Sequence, residues 1–227
     1  MKLSVIIPVF NEVSTLRRVV ERVRAAWADA EIIVVDDGST DGTRAVVEQI
    51  EKEGMVTACY HEVNLGKGAA LRTGFARATG DILLVQDADF EYDPSDYPAL
   101  VAPILSGEAD VVFGSRFLRP GNSRMPLWLA AGNKALTLLC NLRCGLRLTD
   151  METCYKAFRR EVRDRIRLSA DRFGFEPEFT IEVAARGFVI REVPIRYRAR
   201  SYREGKKITW KDGVVALCIL LGIRRFH

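Results

Sequence analysis

The sequence is poor in the residues that build zinc sites and disulfide frameworks. It contains two histidines and five cysteines, and no two cysteines have the C-x-x-C spacing of a metal or redox motif. An odd number of cysteines without such a pair argues against a zinc centre and a disulfide framework. Cys140 and Cys144 are spaced to share one helical face, where we expect small apolar packing. Free thiols are typical of the reducing cytoplasm.

Apolar runs long enough to cross a bilayer are also missing. The uncharged run at residues 214–223 has ten residues, whereas a membrane-spanning helix needs about 20. We expect it to form either a buried terminal helix or a helix at a membrane interface. The short apolar start at residues 3–9 has no small-residue cleavage pattern after it, so we interpret it as a strand and not as a secretory signal.

Charge is present in quantity, but it is divided unevenly. Residues 1–113 hold 10 Lys and Arg against 19 Asp and Glu, a net charge of −9. Residues 114–227 hold 24 against 11, a net charge of +13. The acidic half is suited to a metal ion, and the basic half to phosphates or an anionic membrane surface. The basic residues form no recognisable nucleic-acid-binding module, so we predict no nucleic-acid partner.

Continuous apolar runs alternate with amphipathic segments through the first half of the chain. Such runs are typical of strands covered on both faces, and the intervening segments have apolar residues at helical spacing. This order predicts an α/β fold with a mostly parallel sheet flanked by helices, forming one domain over residues 1–227. The predicted strands are 3–9, 32–35, 82–85 and 111–113, the predicted helices are 13–27, 41–50 and 66–78, and segments 127–142 and 214–223 are expected to supply C-terminal amphipathic helices.

Polar residues cluster where each predicted strand ends. In a parallel sheet, ligands bind at the carboxyl ends of the strands. Four separate solvated turns are the alternative, but their shared placement favours one composite site. The clusters are Asn11-Glu12, Asp36-Asp37, Asp87 with Asp89, and Ser115-Arg116.

The densest of these clusters follows the apolar run 82–85. Asp87, Asp89 and Glu91 place three carboxylates within five residues. Ionised carboxylates near a core need compensating positive charge, and oxygen ligands favour a hard cation such as Mg²⁺ or Mn²⁺. A solvated acidic loop is the other interpretation.

Several motifs, in this order along the chain, resemble those of the family 2 glycosyltransferases with a GT-A (Rossmann-like) fold. Within that family, the chain is most similar to the dolichyl-phosphate mannosyltransferase-like branch, which makes polyprenyl-phosphate sugars. The resemblance covers most of the chain and continues through residues 114–117, 149–153 and 192–195. The motifs are Pro8-Val9-Phe10-Asn11-Glu12, the segment 35–41, Asn64-Leu65-Gly66-Lys67-Gly68 and Asp87-Ala88-Asp89.

The resemblance implies roles for the acidic half, with residues 1–115 binding the nucleotide sugar. One of Asp36 and Asp37 is expected to cap a turn and the other to bind ligand, and Lys67 to lie near the nucleotide. Many relatives have Gln where this chain has Glu91, so Glu91 is expected either to ligate the metal or to support its ligands. The implied nucleotide-binding residues are Pro8, Phe10, Glu12, Asp37, Asp87, Ala88 and Asp89, the metal ligands Asp87, Asp89 and Glu91, and the catalytic residues Asp87, Asp89 and Arg116.

The basic half, residues 116–227, is expected to bind the acceptor. An ionised lipid phosphate needs cations to position it, whereas a hydroxyl acceptor needs a general base. Asp150 is either that base or a residue that orders Arg116. The candidate acceptor-phosphate residues are Arg116, Lys134, Arg200, Lys206 and Lys207.

The resemblance thus predicts an inverting transferase that moves a hexose from a GDP- or UDP-sugar to a polyprenyl phosphate. We expect it to depend on Mg²⁺ or Mn²⁺ and to lie peripherally on the cytoplasmic face of the membrane. One alternative is a family 2 enzyme with a hydroxyl acceptor on a glycan and Asp150 as base. A more remote alternative is a nucleotidyltransferase or a nucleotide-sugar-binding module.

Overall fold

The computed structural model describes residues 1–120, 122, 125–200 and 210–223. Within these ranges, strands and helices alternate along the first half, and helices predominate in the second. The strands are β1 Leu3–Val9, β2 Glu31–Asp37, β3 Thr57–His61, β4 Ile82–Val85, β5 Val111–Ser115, β6 Lys156–Arg159 and β7 Ile190–Pro194. The helices are α1 Leu16–Ala26, α2 Thr43–Lys52, α3 Lys67–Arg77, α4 Tyr97–Leu105, α5 Leu127–Cys144, α6 Arg160–Arg165, α7 Phe175–Ala185 and α8 Trp210–Leu220.

The strands form one sheet in the order β3-β2-β1-β4-β6-β5-β7. Every described neighbouring pair is parallel except the two that involve β6. Every residue of β4 is buried, and so are nearly all residues of β1 and β2, because helices cover both faces. This architecture confirms the predicted α/β class and its mostly parallel sheet. The carboxyl ends of β1, β2 and β4 consequently meet at one edge.

Three strands were not predicted from the sequence. All five residues of β3 are only partly buried, so that strand lacks a continuous apolar run. β7 forms the other edge of the sheet and includes the charged residues Arg191 and Glu192. β6 begins with Lys156, whose buried ammonium donates to the carbonyls of Met151 (3.0 Å) and Thr153 (2.5 Å).

Helix packing positions the loops at the carboxyl ends of β1, β2 and β4. α3 crosses β1 and β2, and Gly74 lets it approach closely, since a Cβ there would lie 2.4 Å from Ile6 Cγ2. α5, α7 and α8 pack against one another in the second half of the chain. Within the described ranges, no helix combines the length and apolar character that a membrane span requires.

Candidate active site

Two buried tyrosines fix the chain where β4 ends. Gln86 follows β4 directly and is fully buried. Its Oε1 accepts hydrogen bonds from the hydroxyls of Tyr97 (2.8 Å) and Tyr155 (2.7 Å), and its Nε2 donates to the Asp87 carbonyl (2.9 Å). The acidic segment therefore begins from a fixed backbone position, unlike a solvated loop.

Asp87 is paired with a lysine from the first turn of α3. Lys67 Nζ lies 3.0 Å from Asp87 Oδ1 and 3.0 Å from Glu176 Oε1 of α7. Burial alone would lower the pKa of Lys67, but Asp87 and Glu176 hold it well above its ordinary value. Burial would likewise raise the pKa of Asp87, yet Lys67 lowers it. Asp87 is therefore ionised at neutral pH.

Asp89 contacts an arginine from the second half of the chain. Arg200 Nη2 lies 2.5 Å from Asp89 Oδ2, and Arg200 Nη1 lies 3.1 Å from Glu12 Oε1. Burial and the nearby Asp87 raise the pKa of Asp89 to about 7, although Arg200 opposes this. Additional positive charge at this point would favour the ionised form of Asp89.

Glu91 holds the segment that carries Arg200. Its Oε1 accepts a hydrogen bond from the Arg200 backbone N–H (2.7 Å), and its Oε2 accepts one from the Tyr197 hydroxyl (3.2 Å). The Glu91 carbonyl also accepts from the Arg198 N–H (2.9 Å). These contacts tie residues 197–200 to the acidic segment, and both roles predicted for Glu91 remain predictions.

The two aspartates at the end of β2 have different partners. Asp36 pairs with Arg44 of α2 at 2.9 Å. Asp37 accepts hydrogen bonds from the backbone N–H groups of Leu65 (3.0 Å) and Gly66 (2.7 Å). Asp36 thus stabilises the β2–α2 connection, whereas Asp37 fixes the loop that leads into α3.

Several of these groups line a cavity of about 290 Å³ at the carboxyl ends of β1, β2 and β4, which we call the donor cavity because the nucleotide-sugar donor is predicted to bind there. The structure brings together every residue predicted for nucleotide and metal binding. Lys67 and Arg200 also line the cavity. The predicted residues in its wall are Pro8, Phe10, Glu12, Asp37, Asp87, Ala88, Asp89 and Glu91.

A second cavity of about 250 Å³ adjoins the first, and we call it the acceptor cavity because it contains Arg116, which is predicted to bind the acceptor phosphate. The two share Lys67, Asp87, Glu91 and Phe173 as a common wall. The far side of the acceptor cavity is apolar and comes from α5, with Trp128, Leu129 and Leu136. A ligand in one cavity would therefore meet a ligand in the other beside Asp87.

Arg116 lines the acceptor cavity and is held by Asp150. Arg116 Nε and Nη2 each lie 2.7 Å from an Asp150 oxygen, and the Arg116 backbone N–H donates to Asp150 Oδ2 (2.9 Å). Asp150 is fully buried. Burial would lower the pKa of Arg116, but Asp150 holds it well above its ordinary value. Asp150 therefore orders Arg116, as one of the two sequence interpretations proposed.

The other candidate acceptor residues have different locations. Lys134 is exposed, lies 5.4 Å from the centre of the Phe117 ring and lines neither cavity. Arg200 lines the donor cavity. Lys206 and Lys207 lie outside the described residues. The roles of these residues in acceptor binding remain predictions.

Arg172 and Phe173 also line the donor cavity, and no motif in the sequence predicted them. Their segment docks on the start of α3: the Gly68 N–H donates to the Arg172 carbonyl (3.2 Å), and the Ala69 N–H to the Asp171 carbonyl (3.0 Å). These contacts join residues about a hundred positions apart. No local pattern marks such a pairing.

The donor cavity suits the predicted cation. Among the described residues, no group of three or more His, Cys, Asp and Glu side chains could hold a metal ion. Mg²⁺ and Mn²⁺, however, are commonly held by one or two carboxylates, with substrate phosphates and water completing the shell. Asp87 and Asp89 supply such a pair of carboxylates beside an open cavity, so the residues fit the ion.

Comparison with known proteins agrees with this geometry. The family model described as "Glycosyl transferase family 2" matches residues 4–167. A polyprenol monophosphomannose synthase of Mycolicibacterium smegmatis is 34% identical over 206 residues, covering 87% of this chain and 77% of that protein. An undecaprenyl-phosphate 4-deoxy-4-formamido-L-arabinose transferase of Klebsiella pneumoniae is 31% identical over 211 residues, covering 90% of this chain but 62% of that protein.

A solved structure has the same architecture. It is glucosyl-3-phosphoglycerate synthase from Mycobacterium tuberculosis in complex with Mn²⁺ and UDP-glucose, with a TM-score of 0.74 and 25% identity. The match covers 98% of this chain and 77% of that one. This likeness confirms the predicted GT-A fold.

Proposed function

Because this chain belongs to glycosyl transferase family 2, we propose that it transfers a hexose from a nucleotide sugar to a polyprenyl phosphate, with inversion at the anomeric carbon. Two relatives bear names that specify polyprenyl acceptors. The observation that carries the proposal is the pair of adjoining cavities, because their common wall at Asp87 is where sugar and acceptor would meet.

The donor cavity binds the nucleoside diphosphate of the sugar donor. Pro8, Phe10 and Glu12 line the side formed by the end of β1, and Asp37 fixes the opposite loop. Asp87 and Asp89 would hold the divalent cation, which stabilises the negative charge that grows on the departing diphosphate. Lys67 keeps Asp87 ionised and places a further positive charge on the wall between the cavities.

The acceptor cavity binds the phosphate and the first part of the lipid. A phosphate oxygen attacks the sugar C1 from the face opposite the diphosphate; the new C1–O bond forms as the bond to the diphosphate breaks. The attacking phosphate is already ionised, so this step needs no general base. Arg116, fixed by Asp150, supplies positive charge, and the apolar side chains of α5 contact the lipid.

A hydroxyl acceptor is the second candidate, since the structural neighbour is named glucosyl-3-phosphoglycerate synthase. That reaction requires a base. Asp150 is poorly suited to the task, because its carboxylate accepts three hydrogen bonds from Arg116 in a fully buried position. The contacts of Asp150 thus favour the phosphate acceptor.

Thermal unfolding with a panel of GDP- and UDP-sugars, each with Mn²⁺, tests the donor half of the proposal. A true donor at about 100 times its dissociation constant adds about 2.7 kcal/mol of stability, a rise of several degrees in Tm. The best donor is then incubated with undecaprenyl phosphate. A labelled lipid product supports the proposal, whereas a sugar transferred only to hydroxyl acceptors contradicts it.

A further inference from the structure

Glu152 has a carboxylate oxygen with no partner. Its Oε1 is buried and forms no hydrogen bond with the described residues. Leaving a buried polar atom unsatisfied is costly, so native proteins retain few such atoms. A ligand group is a frequent reason for keeping one.

Glu152 lines the acceptor cavity, as does Arg116. The chain is anchored on both sides of it. The Met151 N–H donates to Thr137 Oγ1 of α5 (3.1 Å), and the Cys154 N–H donates to the Tyr92 hydroxyl (3.1 Å). The position of Glu152 is therefore fixed by the fold before any ligand binds.

The charges around Glu152 discourage its ionisation. The charged groups that act on it come from several elements: Glu176 of α7, Lys156 of β6, Arg116 after β5, and Asp150 in its own loop. Lys67, Asp87, Glu91 and Asp212 line the same cavity. Burial first, and then Glu176, raise the pKa of Glu152 to about 8. The ammonium of Lys156 acts in the opposite direction and lowers the pKa of Glu152. That ammonium donates hydrogen bonds to the carbonyls of Met151 and Thr153.

We propose that Glu152 recognises the acceptor, its carboxyl group donating a hydrogen bond to an oxygen of the acceptor phosphate. This inference rests on the proposed function, because it names the group that selects its phosphate acceptor. A protonated carboxyl adds a donor to the cavity without adding a negative charge, whereas an ionised one would repel the phosphate. Arg116 and Glu152 together would then offer the phosphate one charged and one neutral hydrogen-bond donor.

Two substitutions separate this role from its rivals. Glu152→Gln keeps a neutral hydrogen-bond donor in a side chain of similar size, and Glu152→Leu removes that hydrogen-bond donor. Glu62→Gln, at an exposed position, is the matched control. The measurements are the KM and kcat for farnesyl phosphate and the KM for the sugar donor, together with equilibrium binding of farnesyl phosphate in the absence of donor.

We expect Glu152→Leu to raise the KM and the Kd for farnesyl phosphate roughly 10- to 100-fold, the loss of a hydrogen bond to a charged group, and to leave the donor KM unchanged. Glu152→Gln should restore most of that affinity at neutral pH. In the parent protein the acceptor KM should also rise as the pH passes about 8, where Glu152 loses its proton, and Glu152→Gln should lack this rise.

Other results overturn the inference. If Glu152→Gln abolishes kcat for farnesyl phosphate while farnesyl phosphate still binds normally, Glu152 acts in the chemical step and does not recognise the acceptor. If Glu152→Leu leaves the acceptor KM and Kd unchanged, the residue has only a structural role and the proposed function stands. If the parent protein neither binds farnesyl phosphate nor transfers sugar to it, the proposed function itself fails and takes this inference with it.

Discussion

Arg200 and Asp89 form a charged pair inside the donor cavity, with Arg200 Nη2 2.5 Å from Asp89 Oδ2. The same guanidinium lies 3.1 Å from Glu12 Oε1. One basic side chain therefore binds a carboxylate predicted to hold the cation and another predicted to meet the nucleotide. We therefore expect the positive charge of Arg200 to weaken the binding of a divalent cation at Asp89, because like charges beside one carboxylate repel each other.

Arg200→Gln should therefore increase the affinity of the protein alone for Mn²⁺, provided that the titration is made at a pH above the pKa of Asp89 in the variant, because the substitution also removes a charge that lowers that pKa. A partly buried ion pair worth about 1 kcal/mol corresponds to an increase of roughly fivefold. Calorimetric titration with Mn²⁺ in the absence of donor measures this affinity. Arg191→Gln, at an exposed position on β7, is the control. An unchanged Mn²⁺ affinity in Arg200→Gln would show that the ion does not bind at Asp89.

Asp150→Asn should lower the free energy of unfolding by about 3–5 kcal/mol, because it leaves the buried Arg116 without its counter-charge. The double variant Arg116→Met/Asp150→Asn should recover part of this loss, since no charge is then left unpaired. Urea unfolding of the single and double variants gives the coupling energy. A double variant that loses the sum of the two single effects would mean that the pair is not coupled.

Gly68→Ala should disturb the donor cavity by displacing the neighbouring segment 170–173. A Cβ at Gly68 would lie 2.0 Å from the Ala170 carbonyl oxygen, so the segment carrying Arg172 and Phe173 must shift. We expect a loss of about 1–3 kcal/mol in stability and weaker nucleotide-sugar binding.

Gly132→Ala in α5 is the stability control for that substitution. A Cβ there meets nothing within 4 Å, and alanine is favoured over glycine in a helix by about 1 kcal/mol. The two variants should therefore change Tm in opposite directions. A Gly68→Ala protein with the parental Tm and donor affinity would contradict the docking of α3 on residues 170–172.

The exposed apolar residues of α5 and α8 predict membrane association. Leu138 and Leu142 are 60% and 75% exposed on α5, and Leu217 and Leu221 are exposed on or just after α8, which packs beside it. Leu138→Glu/Leu142→Glu should weaken sedimentation with anionic liposomes at low salt, because it removes apolar area and adds negative charge. Leu105→Glu, at an exposed position at the end of α4, should not. Equal sedimentation of all three proteins would place the membrane contact elsewhere.

The alternating half of the fold could be predicted because its strands are buried on both faces. Continuous apolar runs identified β1, β2, β4 and β5, and the acidic residues at the ends of β1, β2 and β4 marked the donor cavity. Parallel sheets give this signal, since each strand that ends at the shared edge contributes its next residues to one site.

Both cavities also depend on long-range contacts that no local pattern records. Lys67 pairs with Glu176 across 109 positions, and Arg200 pairs with Asp89 across 111. From the sequence, Glu152 was identified only as part of the motif at residues 149–153. Its unpartnered oxygen becomes visible only in the folded chain, where Glu152 lines a cavity together with residues of α5 and α7. Short strands with charged residues, such as β7, were missed for the related reason that edge strands need no apolar run.

Sugar transfer by the parent protein and by Asp89→Asn, measured side by side with and without a chelator, tests the central claim most directly. The assay follows labelled sugar from its nucleotide into undecaprenyl phosphate in the presence of Mn²⁺. We predict that the parent protein forms labelled lipid only when the cation is present, and that Asp89→Asn forms little under any condition. Formation of labelled lipid by Asp89→Asn at the parental rate, or by the parent protein in excess chelator, would contradict it.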